Sequence, residues 1–110
     1  MWGLSRSTRI FLRPGATDLR LGFDALYGIV EQQLGQDPTS GHLFLFCNRS
    51  RTRIKALWWD GSGLWLSVKR LEAGTFAWVK EGRSKEVDAG RFHALICGLE
   101  ISRERKWFRR

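Results

Sequence analysis

The chain has 110 residues, of which 43% are hydrophobic and 13% aromatic. Its 19 Lys and Arg outnumber its 11 Asp and Glu, which gives a formal charge of +8. This composition is too apolar for a disordered polyelectrolyte, and the length favours one folded domain over two. The sequence shows no apolar run of roughly 18 residues and no secretory signal, so we expect a cytoplasmic protein without a membrane partner.

The first half of the chain predicts a strand, a helix and a second strand. Residues 8–13 are β-prone and are stopped by a Pro-Gly pair, which favours a turn. Thr17 or Asp18 can cap a helix whose apolar residues recur at intervals of three and four as far as Leu34. Residues 42–47 are apolar on both faces, which is typical of a central strand.

A hairpin is predicted next, because Gly61 and Ser62 suit a two-residue turn between strands 53–60 and 63–71. With Asp60 opposite Gly63, Trp58 lies opposite Trp65. One face is then expected to cover the core and carries Leu57, Trp59, Leu64, Leu66 and Val68. The other face, centred on the tryptophan pair, is a stacking platform for bases, a surface for a partner protein, or a second layer of core.

The remaining segments predict a strand at 75–80, a polar linker at 81–86 and a helix capped by Asp88. The expected fold is α+β, an antiparallel sheet of about five strands with two helices packed on it. We expect residues 1–101 to form a single domain and residues 102–110 to form a basic C-terminal arm that becomes ordered on binding.

The positive charge is concentrated in two short stretches. The first has four cations and no acid, and consists of Arg49, Arg51, Arg53 and Lys55. The second has five cations beside one acid, and its cations are Arg103, Arg105, Lys106, Arg109 and Arg110. Clusters rich in arginine suit phosphates, so we predict that these residues bind nucleic acid; the alternative is that they only keep the protein soluble.

No residue pattern in the chain promises catalysis or a metal site. Two cysteines and two histidines, Cys47, Cys97, His42 and His93, lack zinc-type spacing. The sequence has no nucleophile motif, and Asp24 is expected to be exposed or paired with Arg20. The sequence therefore predicts a non-enzyme without a cofactor, against the alternative of a nuclease that would depend on carboxylates such as Asp24 or Asp60.

Four blocks, read in this order, resemble one family of proteins. They are TDLRLGFDAL at 17–26, DPTSGHLFLF at 37–46, IKALWWDGSGL at 54–64 and KRLEAGTFAW at 69–78. They are similar to the accessory protein, called TnpB or the second open reading frame product, of bacterial insertion sequences of the sixty-six type. The chain departs from the family pattern at Leu21, where a basic residue is common, and at Val79, where proline often follows the tryptophan.

The resemblance implies a small protein that is encoded beside a larger transposase and assists transposition without being the strand-transfer enzyme. Combined with the charge pattern, it predicts an accessory factor whose partners are DNA, at the ends of the element, and the transposase. The competing hypothesis is a protein adaptor that docks on the transposase without direct DNA contact. Its contacts would come from three tryptophans, Trp58, Trp65 and Trp107.

Overall fold

The structure, a computed structural model, describes residues 7–98, which form five strands and two helices. Their order is β1 (Ile10–Leu12), α1 (Phe23–Gln32), β2 (Leu43–Cys47), β3 (Arg53–Trp59), β4 (Leu64–Arg70), β5 (Lys85–Val87) and α2 (Ala89–Ile96). Neither helix of this part of the chain is long and apolar enough to span a membrane.

All five strands belong to one sheet, in the order β4-β3-β2-β1-β5. β1 and β2 are parallel and are connected through α1, whereas every other neighbouring pair is antiparallel. The predicted α+β class and strand number are confirmed, with a sheet that is mixed and mostly antiparallel. The parallel pair arises because a strand that returns in the same direction needs a long crossover, which α1 and its flanking loops provide.

The two helices pack on opposite faces of the sheet. On one face, Leu26 and Val30 of α1 join a buried cluster with Phe44 of β2 and Leu57 of β3. On the other face, α2 contributes to a second cluster whose buried members include Ile10, Leu12, Leu43, Leu45, Cys47, Phe76, Trp78, Phe92 and Leu95. β2 is buried on both sides, as its continuous apolar sequence predicts.

The hairpin register and the second helix are confirmed. Trp58 lies opposite Trp65, and the amide of Asp60 donates to the carbonyl of Gly63 at 3.0 Å. Asp88 caps α2, since its carboxylate accepts a hydrogen bond from the amide of Arg91. The predicted core face is confirmed for Leu57, Leu64 and Leu66, which join the cluster under α1. The opposite face of β3 also joins a core cluster, so the alternative of a second layer of core holds for the side that carries Trp58.

Val68 was predicted to face the core but is 59% exposed. The reason is that β4 is an edge strand, whose outer end lies beyond the apolar cluster under α1. Edge strands have a neighbour on one side and are often only partly covered.

The first helix begins later than predicted, at Phe23, with Gly22 as its N-cap. Asp18 does not cap it. The carboxylate of Asp18 instead accepts from the amide of Arg20 and pairs with the Arg20 guanidinium at 2.9 Å. This local turn competes with helix formation, and it means that Arg20 pairs with Asp18 rather than with Asp24.

Residues 75–80 form no strand, although Phe76 and Trp78 are buried as their alternation suggested. β5, at Lys85–Val87, instead overlaps the end of the segment predicted to be a linker, residues 81–86. It pairs with β1, where Glu86 forms an ion pair with Arg9 at 2.7 Å. The charged side chains of β5 give no apolar alternation from which a strand could be predicted. An edge strand can form without such alternation, because it needs little apolar character.

Candidate nucleic-acid interface

A fixed loop between β2 and β3 carries the first two arginines of the predicted basic cluster. The side-chain oxygen of Asn48 accepts from the amides of Thr52 and Arg53, at 2.9 and 3.0 Å. The amide of Arg51 donates to the Asn48 carbonyl at 3.1 Å. One asparagine therefore satisfies much of the loop backbone, and both Arg49 and Arg51 are exposed.

Arg51 has a left-handed backbone conformation, with φ of 60°. This conformation is unfavourable for a residue with a Cβ, so surrounding contacts must hold it. One such contact is the hydrogen bond from the Phe76 amide to the Arg51 carbonyl, at 2.7 Å, which fastens the loop to a buried residue of the second cluster. The Arg51 side chain is therefore presented from a well-defined backbone.

Two open depressions meet at this loop. One, of about 590 Å³, has Asp18, Arg20 and Arg49 among its lining residues. The other, of about 240 Å³, is lined in part by Arg49, Arg51 and Lys80. Arg49 belongs to both, so four cations from three segments of the chain surround one corner of the molecule. We call this set, Arg20, Arg49, Arg51 and Lys80, the basic corner.

No pattern in the sequence pointed to Arg20 or Lys80, because each is a single cation far from Arg49 along the chain. Backbone hydrogen bonds bring their segments together. The Thr17 amide donates to the Cys47 carbonyl and the Gly15 amide to the Val79 carbonyl, both at 2.8 Å. Arg20 is partly neutralised by Asp18, whose pKa is lowered to about 2, mainly by the hydrogen bond from the Arg20 side chain.

The other two cations of the predicted cluster occupy different surroundings. Lys55 is half-buried, and its ammonium donates to the carbonyl of Leu21 at 3.1 Å. Arg53 is exposed and lies opposite Arg70 on β4, beyond the loop. The structure thus brings Arg49 and Arg51 together and places Arg53 beside them, while Lys55 fastens the segment before α1 to the sheet.

The second predicted cluster, with Arg103, Arg105, Lys106, Arg109 and Arg110, lies outside the described residues, and so does Trp107. The described part of the chain ends shortly before this cluster, at Gly98. A Cβ on Gly98 would lie 3.3 Å from Cδ2 of Leu71, and the Leu71 amide donates to the Thr52 carbonyl at 2.8 Å. The last described residue therefore lies at the end of the sheet that carries the basic loop.

The predicted tryptophan pair is stacked, with ring centroids 5.4 Å apart and planes 8° apart. Trp58 is half-buried and packs against the second core cluster. Trp65 covers it and is 52% exposed, with its Nε1 donating to Asp60. The inner indole belongs to the core, whereas the outer indole has a solvent-facing surface.

The cysteines and histidines do not converge. Cys47 is buried, and burial raises the pKa of its thiol to about 12, while the Cys97 sulfur lies 3.8 Å from Nε2 of His93 on α2. His42 accepts a hydrogen bond from the amide of Arg9. Within residues 7–98, no three side chains of His, Cys, Asp or Glu come together as a candidate metal site.

These features define a small basic α+β protein with a rigid corner that bears arginines. The chain belongs to the family described as IS66 Orf2 like protein, whose model matches residues 8–106. Membership implies that the chain is an accessory protein of an insertion sequence. The family is not a known class of enzyme.

Two curated relatives come from Sinorhizobium fredii (strain NBRC 101917 / NGR234). Uncharacterized protein y4hO is 34% identical over 96 residues, covering 86% of this chain and 84% of the relative. Uncharacterized protein y4jC is 35% identical over 108 residues, covering 96% of this chain and 92% of the relative. No solved structure matches the chain.

Proposed function

We propose that this protein is a non-catalytic accessory factor for DNA transposition that binds DNA through its basic corner and assists a separate transposase. The observation that carries the proposal is the presentation of Arg49 and Arg51, both exposed, on a loop held by Asn48 and Phe76. The family supplies the process, since its members accompany insertion sequences.

A fixed loop favours phosphate binding because little conformational entropy is lost when its side chains meet the backbone of DNA. Arg49 and Arg51 bring planar guanidinium groups that match phosphate oxygens. Lys80 adds a third cation to the depression that both arginines line. The described chain ends at Gly98, at the same end of the sheet, and we propose that the basic residues that follow form an arm along the DNA backbone.

The test is a fluorescence anisotropy titration of the full chain with DNA from the ends of its element, at several salt concentrations. Log affinity should fall linearly with log salt, and the double substitution R49A and R51A should reduce the slope by about 1.8, or 0.9 for each phosphate contact. Arg91 is an exposed cation on α2 and provides the matched control, since R91A should leave the slope unchanged. Absence of binding even at low salt would contradict the proposal.

The contribution of the C-terminal cations is tested separately. Replacing the five cations between residues 103 and 110 with glutamine should remove most of the affinity and much of the salt dependence. If affinity is unchanged, DNA contact belongs to the basic corner alone.

The second candidate function is a protein adaptor, and the exposed outer surface of Trp65 favours it. A half-exposed aromatic ring on a rigid stack is a typical anchor for a partner protein. The transposase of the same element should then co-purify with the wild type and fail to do so with W65A. Phe23, 46% exposed on α1, provides the control, since F23A should retain the partner.

A further inference from the structure

The two edges of the sheet differ in how they meet solvent. β5 forms one edge and has three residues, two of them charged, one in an ion pair with Arg9. β4 forms the other edge, has seven residues, and has one strand neighbour within the described part of the chain. Short, charged edges resist further pairing, whereas long regular edges invite it.

The pairing of β4 with β3 determines which backbone groups of β4 face outward. The Asp60 amide donates to the Gly63 carbonyl, and the Leu71 amide donates to the Thr52 carbonyl, so the bonded pairs at both ends involve odd-numbered residues of the β4 side. Backbone groups alternate in direction along an antiparallel strand. The N–H and C=O groups that point away from β3 therefore belong to Leu64, Leu66, Val68 and Arg70.

The side chains of this edge are unusually apolar for an exposed strand. Among the described residues, three large hydrophobic side chains are exposed, and two of them, Trp65 and Val68, lie on β4. They lie on opposite faces of the sheet, because alternate residues of a strand do so. The edge is therefore apolar above and below its outward-facing hydrogen-bonding groups.

We propose that β4 pairs antiparallel with β4 of a second copy of this chain, about a two-fold axis that passes beside Ser67. In this register Leu66 lies opposite Val68 of the second copy, and Leu64 lies opposite its Arg70. All four residues whose backbone groups face outward become bonded pairs. The two sheets then continue as one, through an interface in which the same surface serves both copies.

Side-chain chemistry supports this register. Leu66 and Val68 form apolar cross-strand pairs on the α1 face, which stabilise antiparallel strands. On the other face, Lys69 of the second copy lies opposite Trp65, whose Nε1 donates a hydrogen bond to the Asp60 carboxylate. The Lys69 ammonium donates to the Ile96 carbonyl of its own chain, so the aliphatic stem of Lys69 is the part that covers the Trp65 ring. No cation lies opposite another cation in this register.

Shifting the axis to Leu66 or to Val68 weakens the interface. With the axis at Leu66, Arg70 passes the end of the partner strand. With the axis at Val68, Arg70 lies opposite Leu66 and Leu64 loses its partner. The Ser67 register alone engages all four outward residues of β4.

The first test is the mass of the full chain in solution at about 100 μM, where weak interfaces form, measured by light scattering after gel filtration. We expect a dimer. Val68→Pro removes an N–H that points away from β3, so the monomer keeps all its hydrogen bonds between β3 and β4. Val68→Lys instead adds a charge at the same exposed position. Each should weaken dimerisation by about tenfold or more. Phe23→Lys, at the exposed hydrophobic residue on α1, should remain dimeric.

If the wild type is monomeric at this concentration, the proposal is overturned. That outcome includes the cases in which residues 99–110 or another protein covers the edge. A dimer that persists in both Val68 variants overturns it as well. Neither readout involves DNA, so failure here is distinct from failure of the proposed function.

The second test fixes the register by cross-linking with diamide as the oxidant. Cys97 is partly exposed and is first replaced by serine. Ser67→Cys places two thiols at a non-bonded pair of the two-fold, where the Cα separation of about 4.5 Å is suited to a disulfide. Lys69→Cys, on the same face, leaves its two copies about 13 Å apart along the strands and should not cross-link. The reverse result overturns the Ser67 register.

Discussion

The carboxylate of Asp60 joins the hairpin turn to the outer tryptophan of the stacked pair, because its Oδ2 accepts from Nε1 of Trp65 at 2.7 Å. Its other oxygen accepts from the amides of Ser62 and Gly63, each at 2.9 Å. These hydrogen bonds, of which the one from the Ser62 amide contributes most, lower the pKa of Asp60 to about 2 from an ordinary 3.8. The charged carboxylate is thus part of the folded hairpin.

We predict that Asp60 makes the stability of the fold depend on acidity. Its pKa is lower in the folded than in the unfolded chain, so its contribution is fully present above about 3.8 and is lost as pH falls through about 2. Asp60→Asn should therefore unfold at lower urea concentration than the wild type at pH 7, and the difference should shrink between pH 4 and pH 2.

Urea titrations at several pH values, followed by tryptophan fluorescence, measure this effect. Ser62→Ala is the matched control, because it removes the hydroxyl that donates to Asp60 at 3.1 Å but keeps the carboxylate charge. Its stability should follow the pH dependence of the wild type. The prediction would be contradicted if the difference in unfolding midpoint between the wild type and Asp60→Asn were the same at pH 2 and pH 7.

The hairpin could be predicted from the sequence because its determinants are local. Gly61 has φ of 104°, the left-handed region that a glycine at the turn predicted, and the short turn then fixed Trp58 opposite Trp65. The same is true of the cap by Asp88, which acts within three residues. Where one turn or one cap decides a conformation, the residues beside it suffice.

Residues 75–80 were predicted incorrectly because their conformation is decided by distant parts of the chain. Alternating aromatic residues indicated burial but were compatible with a strand as well as with an irregular segment. The backbone bonds of this segment instead run to Gly15 and Arg51, one from the loop after β1 and one from the loop before β3. No periodicity in residues 75–80 carries that information.

Trp78 provides a test of this long-range packing. It is 7% exposed, and its Nε1 donates to the carbonyl of Arg13 at 2.9 Å. Trp78→Phe leaves that carbonyl without its donor and leaves unfilled space in the core, so we expect a loss of about 2 kcal/mol in the free energy of unfolding. Urea denaturation measures it. Trp65→Phe makes the same chemical change at a half-exposed site and should cost less; equal losses would contradict the assignment of Trp78 to the core.

The grouping of cations at the basic corner could be predicted in part from the sequence. Arg49 and Arg51 were identified because a short run of cations without an acid is visible in the sequence. Arg20 and Lys80 were missed because only folding brings them beside Arg49. Lys55 was grouped with the arginines by spacing, although its place on a strand turns its ammonium toward Leu21.

Lys55 should therefore matter more for stability than for DNA. Lys55→Met keeps most of the aliphatic stem but removes the hydrogen bond to the Leu21 carbonyl, so we expect a loss of about 1 kcal/mol in the free energy of unfolding. The slope of log affinity against log salt should stay unchanged. Arg53→Gln, at an exposed neighbouring position on β3, should show the opposite pattern, with unchanged stability and a shallower slope. A shallower slope for Lys55→Met would place its ammonium on DNA instead.

Arg51 combines an unfavourable backbone conformation with an exposed charge, and substitutions can separate the effects of the two. A left-handed φ of 60° costs a residue with a Cβ about 1 kcal/mol relative to glycine. Arg51→Gly relieves this strain, whereas Arg51→Ala keeps it, and both remove the guanidinium. We therefore expect the glycine variant to be more stable than the alanine variant by about 1 kcal/mol, while both lose the same affinity for DNA. Urea denaturation and anisotropy titration of the three proteins separate the two effects. Equal stability of the glycine and alanine variants would show that the loop relaxes and that no strain is stored at this position. If both variants bind DNA as tightly as the wild type, Arg51 does not contact DNA.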